Sequence, residues 1–374
     1  MRIVIYESSA HGGNFNYAVE IFKAYAQNER VKSASLLVPT NAIAIKDSTP
    51  ILLRDKIQGP KFVQRIYFLW RTFVNPFVLF FYLIDKKKSY VILNDFEQLT
   101  APLWSLIYKF FFRRHSFSVF LHDPDRDNYP PSKGYTNFSM KAMMSLMKFG
   151  FYHEHLPDRP YYQNVRTKLV SVPHGIYSLP TCDKKFHDEL TVFKKNSFML
   201  AIIGNIRQEK NYEMAIRCLT SSPDLTLLIA GNVANSSVNI EVWKQFAAEL
   251  GVHDRIRWSV RYLSESELAA AIKTCDCILL NYASTFTSQS GILNMLAPFK
   301  KRVIISSTES GLTTIAKRFE LGELIPPDSQ QDLDNAVLKL MSSNESFDEG
   351  WEKFRDQASW QNHVEIVLKA FGEK

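Results

Sequence analysis

One pattern constrains the fold of this chain more than any other: short apolar runs closed by turn residues alternate with amphipathic stretches from end to end. That order belongs to parallel sheets covered by helices, the α/β class. In the first half the runs predict strands over Arg2–Glu7, Ser33–Val38, Tyr90–Asn94, Phe117–His122 and Lys168–Pro173. In the second half they predict Phe198–Gly204, Leu225–Gly231, Ile256–Val260, Cys277–Asn281 and Arg302–Ser306. Helical periodicity falls between them, as at Tyr17–Gln27, Tyr212–Leu219, Val242–Leu250 and Glu265–Lys273. The pattern restarts near Lys184–Asn196, a lysine-bearing polar stretch that reads as a linker. A chain of 374 residues is too long for one ordinary core, so two doubly wound domains are expected, 1–180 and 181–358. Ligands of such sheets sit beyond the C-terminal strand ends, and the residues just after each strand therefore matter most.

Hydrophobic content of 46% with 22% charged residues excludes a disordered chain. A net charge of +7 and a pI near 9.0 favour anionic partners: nucleic acid, acidic membrane or phosphorylated substrates. The four cysteines suggest no disulfide framework. Cys275 and Cys277 flank Asp276 in an apolar run and are expected on one face of a buried strand as small hydrophobes. Reduced thiols and the absence of a signal-peptide pattern lead to the expectation of a cytoplasmic protein. The nearest approach to a membrane span is Ile66 to Ile84, with Arg71, Asn75 and Pro76 in its middle. Those residues favour a buried or interfacial helix pair over a span.

Two loops in the second half could carry chemistry. In Ala201-Ile-Ile-Gly-Asn-Ile-Arg-Gln-Glu-Lys210-Asn-Tyr a strand ends at Gly204 and a helix begins near Asn211. Arg207 and Lys210 lie between them, beside unpaired helical N–H groups, which suits a phosphate or diphosphate; an exposed basic turn is the plainer reading. In Leu280-Asn-Tyr-Ala-Ser-Thr-Phe-Thr-Ser-Gln-Ser-Gly-Ile-Leu-Asn294 a hydroxyl-rich run passes through Gly291 into an apolar helix. Its N–H groups and the hydroxyls of Ser288 and Ser290 could wrap a phosphate, although serine is also simply a good helix cap.

These passages resemble the retaining glycosyltransferases of family 4 (glycosyl transferases group 1), which have the GT-B fold. Gly204-Asn-Ile-Arg-Gln-Glu-Lys-Asn is similar to the family's Gly-Arg-x-x-x-Glu-Lys-Gly turn. Leu227-Leu-Ile-Ala-Gly231, Arg261-Tyr-Leu-Ser-Glu-Ser-Glu-Leu268 and Cys275-Asp276 follow in the family's order. Ser288-Gln-Ser-Gly-Ile-Leu and Lys301-Arg-Val-Ile-Ile resemble a subgroup with Thr-Gln-Ser-Gly before its donor-site helix. Leu121-His-Asp-Pro124, Val172-Pro-His-Gly-Ile176 and Ser359-Trp360 match first-domain and C-terminal motifs. The resemblance implies two Rossmann-like domains facing across a cleft, with a C-terminal helix (359–374) packing back on the first.

It also implies roles. Lys210 matches the lysine that binds the donor diphosphate, and Arg207 stands in for the usual arginine, because Asn205 occupies that place after Gly204. Gln289, Ser290 and Gly291 follow Ser288 in the donor loop. The family's two loop glutamates fall near Phe286 and at Asn294, so Asn294 takes the ribose-contacting place. In the first domain, Ser8-Ser-Ala-His-Gly-Gly-Asn14 joins a strand to a helix. Gly12 and Gly13 allow close approach of the donor, with His11 and Asn14 beside the acceptor; a tight structural turn is the alternative. His122 is placed to hydrogen-bond the donor sugar, a structural histidine being the plainer reading, and Asp123 to orient its ring or simply to cap the next turn, whereas His153 and His174 are expected to pack or shape loops. The implied reaction moves a sugar from a nucleotide sugar, UDP favoured and GDP the alternative, to an acceptor hydroxyl with retention. No cofactor and no metal are expected, since Arg207, Lys210 and a helix dipole can neutralise the leaving diphosphate.

The acceptor side carries Lys86-Lys-Lys88, Arg113-Arg114, Arg65 and Arg71 among the aromatic runs Phe77–Tyr82, Trp104–Tyr108 and Phe110–Phe112. No nucleic-acid module accompanies them. They fit peripheral attachment to an anionic inner leaflet, with a saccharide or lipid-linked saccharide as acceptor; a packed aromatic core with solvated lysines is the alternative. Two other functions keep the same fold: a catalytically inactive relative acting as scaffold, and a sugar-nucleotide epimerase, for which no poised carboxylate pair is visible in the matching loops.

Overall fold

A computed structural model describes residues 1–126, 132–178, 181–234, 238–287, 289–343 and 345–372. The chain forms two compact units, Met1–Gly175 with Ser359–Lys374, and Ile176–Ala358.

The first unit is built on seven parallel strands: β1 (Arg2–Tyr6), β2 (Ser33–Pro39), β3 (Ser48–Leu52), β4 (Tyr90–Leu93), β5 (Ser116–Leu121), β6 (Phe149–Tyr152) and β7 (Lys168–Ser171). Their order is β3-β2-β1-β4-β5-β6-β7, so the winding reverses between β1 and β4. The covering helices are α1 (Gly13–Gln27), α2 (Lys61–Ile84), α3 (Ala101–Phe111) and α4 (Lys133–Leu146), joined by the last helix of the chain, Trp360–Gly372. That helix docks through buried His363, whose Nδ1 lies 2.8 Å from the Pro173 carbonyl, and through Trp360. Gly175 is required here: a Cβ on it would stand 2.1 Å from the Trp360 ring.

The second unit has six parallel strands: β8 (Phe198–Ile203), β9 (Leu225–Gly231), β10 (Ile256–Val260), β11 (Cys277–Leu280), β12 (Arg302–Ser306) and β13 (Glu323–Ile325), in the order β10-β9-β8-β11-β12-β13. Its helices are α5 (Lys184–Lys194), α6 (Tyr212–Cys218), α7 (Ile240–Glu249), α8 (Glu265–Thr274), α9 (Gly291–Leu296), α10 (Gly311–Phe319), α11 (Gln330–Ser342) and α12 (Asp348–Gln357), and the C-terminal helix of the first unit is α13. Strand residues alternate between two helix layers. Met199, Ala201 and Ile203 enter one apolar core, and Leu200 and Ile202 the other, as a central strand covered on both faces must.

Several expectations are corrected. Lys184–Asn196 is largely a helix, not a linker: Asp183 caps it through Phe186 N (2.7 Å), and Phe186 and Leu190, one turn apart, are buried. Cys275 and Cys277 face opposite layers, because Cys275 caps α8 and only Cys277 belongs to the strand. The apolar stretch around Pro76 is one helix of 24 residues, not a pair. Proline removes one helical donor, and the carbonyl this frees, on Thr72, accepts the Thr100 hydroxyl at 2.6 Å. The edge strands β3 and β13, and the glycine-bearing β6, were not predicted; they have at most five residues each and little apolar periodicity.

Candidate nucleotide-sugar site

In the second unit the winding reverses between β8 and β11, and the loops after these two strands form the candidate site. After β8 the backbone turns at Gly204 (φ 92°), where a Cβ would stand 2.9 Å from the Ile292 side chain. Ile206 then bridges to the end of the neighbouring strand: its N–H donates to Asn232 (2.8 Å) and its carbonyl accepts from Ala234 (3.0 Å). This anchor holds the turn Gln208–Lys210 in place. The two loops are also tied to each other. Ala283 N donates to the Glu209 carbonyl (2.8 Å), and Asp328 accepts from Asn211 Nδ2 (2.9 Å) and Ser284 N (3.0 Å).

A cavity of about 220 Å³ opens between these loops. Gly204, Asn205, Arg207, Glu209 and Lys210 form one wall, and Tyr282, Phe286, Gln289, Ser290 and Gly291 the other. Lys210 is buried, with Nζ donating to the Ile203 carbonyl at 2.6 Å. Burial first, and then the field of Arg207, lower its pKa to about 7, with Glu209 acting in the opposite sense. Arg207 itself is exposed at the mouth. A buried amine with one neutral partner and a second cation beside it stands to gain from a bound anion.

The loop after β11 differs from its expected form. Ser290 is buried, and its hydroxyl lies 3.1 Å from that of Tyr282, so it is engaged with the protein. Gln289 lines the cavity with neither amide atom partnered among the described residues. Asn294 is fully buried, does not line the cavity and leaves both amide atoms unpartnered among the described residues. Ser288 lies outside the described residues. The sequence reading gave no role to the parallel stack of Tyr282 on Phe286, with centroids 3.8 Å apart. Two aromatics four residues apart in a hydroxyl-rich loop were its only trace.

The first unit brings its expected residues to the corresponding reversal, between β1 and β4. Gly12 (φ 91°) precedes α1, and a Cβ on Gly12 or Gly13 would meet open space. His11 is exposed, 3.7 Å from Asp55. His122 stands one residue past β5 with Nε2 3.0 Å from Asn94 Oδ1, which as an acceptor fixes the tautomer. Asn94 Nδ2 donates to the Asn14 carbonyl (3.0 Å) and to Glu7. Glu7 also accepts from Ser9 N (2.6 Å) and is raised to about 8 by burial and by neighbouring Asp95. Glu97 accepts from Tyr6 and is raised to about 7, chiefly by burial. Glu7, Asn94, Asp95 and Glu97 were missed in the sequence, although each falls within four residues of a strand end.

His122 also belongs to a ring cluster. Tyr17 makes edge contacts with His122 (4.4 Å), His153, His174, His363 and Trp360. Burial lowers His122 to about 3 and His174 and His363 to about 4, so all three are neutral near pH 7. Asp123 is half-buried beside them. The Asp-x-Asp spacing at Asp123-Pro-Asp125 gives Asp125 to Arg159, whose Nη2 is 2.6 Å away.

Known proteins match the fold of the whole chain and the sequence of its second unit. Residues 183–358 match the model of the family described as Glycosyl transferases group 1. Curated protein sequences give no significant match. Among solved structures, Anabaena HepE in complex with UDP and glucose is similar over 99% of both chains, at TM-score 0.73 and 14% identity. Sucrose-phosphate synthase from Thermosynechococcus elongatus follows at 0.71 and 12%, covering 99% of this chain and 98% of its own. WaaG, a glycosyltransferase involved in lipopolysaccharide biosynthesis, aligns at 0.63 and 12%, again over 99% and 98%. Likeness at such identities establishes the fold, GT-B with Rossmann-like sheets. The family match lies within the second unit, the one that holds the cavity beside Lys210.

Proposed function

We propose that the chain transfers a sugar from a nucleoside diphosphate sugar, UDP-linked in preference to GDP-linked, to a hydroxyl of a saccharide or lipid-linked saccharide, with retention. The observation that carries this reading is buried Lys210 beside Arg207 and Glu209 on the wall of the 220 Å³ cavity. In it, Lys210 and Arg207 take the diphosphate, and as the leaving group gathers charge they stabilise it without a divalent ion. Gly204 and Gly291 let the phosphates approach the backbone, and Gln289 offers the donor a free amide. His122, whose Nε2–H donates to Asn94, can accept one further hydrogen bond at Nδ1 and is not a proton shuttle near pH 7. The relatives bound to UDP and UDP-glucose support the choice of uridine.

Incubation with a panel of nucleotide sugars and detection of free nucleoside diphosphate tests the reading. Release is expected with at least one UDP-sugar in the presence of chelator. Release restored only by manganese would remove the metal-free step, and no release with any donor would favour the scaffold alternative. For the acceptor side, we propose peripheral attachment to the inner face of an anionic membrane, supported by the basic and aromatic residues of the first unit.

A further inference from the structure

We propose that the exposed face of α2, continued by α3, is the surface by which the chain lies on an anionic phospholipid bilayer, with α2 in the plane of the headgroups. The inference rests on the peripheral attachment proposed above and assigns it to one element. Of the twenty-one large hydrophobic residues exposed among the described residues, ten are on α2 and four on α3. Phe62 (72% exposed), Trp70 (60%) and Phe81 (67%) span the length of α2. The first three turns, 61–70, are exposed nearly all round. Leu106, Phe110 and Phe111 extend the patch on α3, joined through the contact of Phe80 with Phe111 (5.6 Å). A contiguous apolar face of this kind marks an interaction site, not ordinary surface.

Charge decides what the face meets. Neither α2 nor α3 contains a carboxylate. Lys61 and Arg65 border the patch at one end, Lys86, Lys87 and Lys88 follow α2 at the other, and Lys109, Arg113 and Arg114 close α3. Asp85 is the single exposed acid between residues 60 and 115. A second copy of the chain would oppose cation to cation across such a face, whereas lipid phosphates complement it. Aromatic side chains with a basic margin are the composition that seats a helix at the headgroup boundary.

The helix is long and apolar enough to cross a bilayer, by length and composition. Its second half is fixed in the fold instead. Thr72, Asn75, Pro76, Leu79 and Leu83 are buried in the unit. Asn75 Oδ1 accepts from Leu53 N (2.9 Å), the Tyr108 hydroxyl donates to the Pro76 carbonyl (2.6 Å), and Arg71 pairs with Asp55 at 2.8 Å. Crossing the bilayer would break all of these, while lying on it breaks none.

The test is flotation of the full chain with vesicles of phosphatidylcholine alone or mixed with phosphatidylglycerol, at low and high salt. Wild-type chain is expected to float with the anionic vesicles and to be released by salt in part. The double variant Phe62→Glu/Trp70→Glu, at exposed positions, should lose about tenfold or more in partitioning, with its melting temperature and its nucleotide-sugar affinity unchanged. Each Lys→Glu change among Lys86, Lys87 and Lys88 should cost about fivefold or more. Val192→Glu/Val242→Glu on the second unit should have no effect. Brominated lipid should quench wild-type fluorescence, and much less that of Trp70→Phe. If wild-type chain floats and Phe62→Glu/Trp70→Glu floats equally, the assignment to α2 falls while attachment stands. If wild-type chain does not float, both fall, as they do if the double variant abolishes only a dimer. The transferase reading is untouched in every case, since nucleoside diphosphate release is measured without vesicles.

Discussion

The same topological position is filled in opposite ways in the two units. At the reversal of the first sheet the polar groups satisfy one another: Glu7 holds Asn94, and Asn94 holds His122 and the Asn14 carbonyl. At the reversal of the second sheet, Lys210 has one backbone partner and a cationic neighbour, and Gln289 has no partner among the described residues. A saturated network positions groups and resists change; an unsaturated one awaits a ligand. The contrast teaches that the demand for an anion lies in the second unit, although polar residues crowd both strand ends.

The largest expected effect is a direct break of that contrast. Lys210→Ala should reduce nucleoside diphosphate release by about a hundredfold or more, with melting measured in parallel because Nζ also holds the Ile203 carbonyl. Release at the wild-type rate would remove Lys210 from the site. Gly175→Val strikes the saturated side instead: its Cβ would enter the Trp360 ring, and calorimetry should show a loss of about 3 kcal/mol with little change in donor affinity per folded molecule.

Smaller effects follow from protons. A bound diphosphate raises the pKa of Lys210 from about 7, so donor binding takes up a proton above that pH. Nucleotide-sugar affinity should therefore fall toward alkaline pH, by up to about tenfold per unit; titration calorimetry in buffers of different ionisation enthalpy reads the uptake. In the first unit two sets of groups oppose each other. His122, His174 and His363 are depressed from 6.5 to between about 3 and about 4, so the unfolded chain binds more protons in that window and stability falls as pH drops through it. Glu7 and Glu97 are raised from 4.5 to about 8 and about 7, so the folded chain binds more protons there and stability falls as pH rises. Maximal stability of this unit is expected on the mildly acidic side of neutral, with a loss of about 1 to 3 kcal/mol by about pH 8.5. A melting profile still rising to pH 8.5 would contradict it.

Much of this was legible in the sequence. Leu225–Gly231, Ile256–Val260 and Arg302–Ser306 form strands with the predicted bounds, six others shift by one or two residues at one end, and Phe117–His122 moves back by one residue at both ends. The loop from Gly204 to Lys210 was readable because a strand end, a glycine and two cations are adjacent in the chain. Asn294 was placed by analogy at the ligand, yet the short helix α9 turns it into the interior. The continuity of α2 through Pro76 was not readable, since the hydroxyl that caps the freed carbonyl comes from Thr100.

The sequence by itself thus determined the α/β class, most strand ends and the basic turn at 204–210, because apolar periodicity and turn chemistry act over a few neighbouring residues. Only the tertiary structure decided which polar groups are spent and which are free. Glu7 finds Asn94 across 87 residues, Asn94 finds His122 across 28, and burial at those meeting points sets the protonation of each group. Partners so far apart leave no periodic trace, and their pairing follows from the order in which the strands line up.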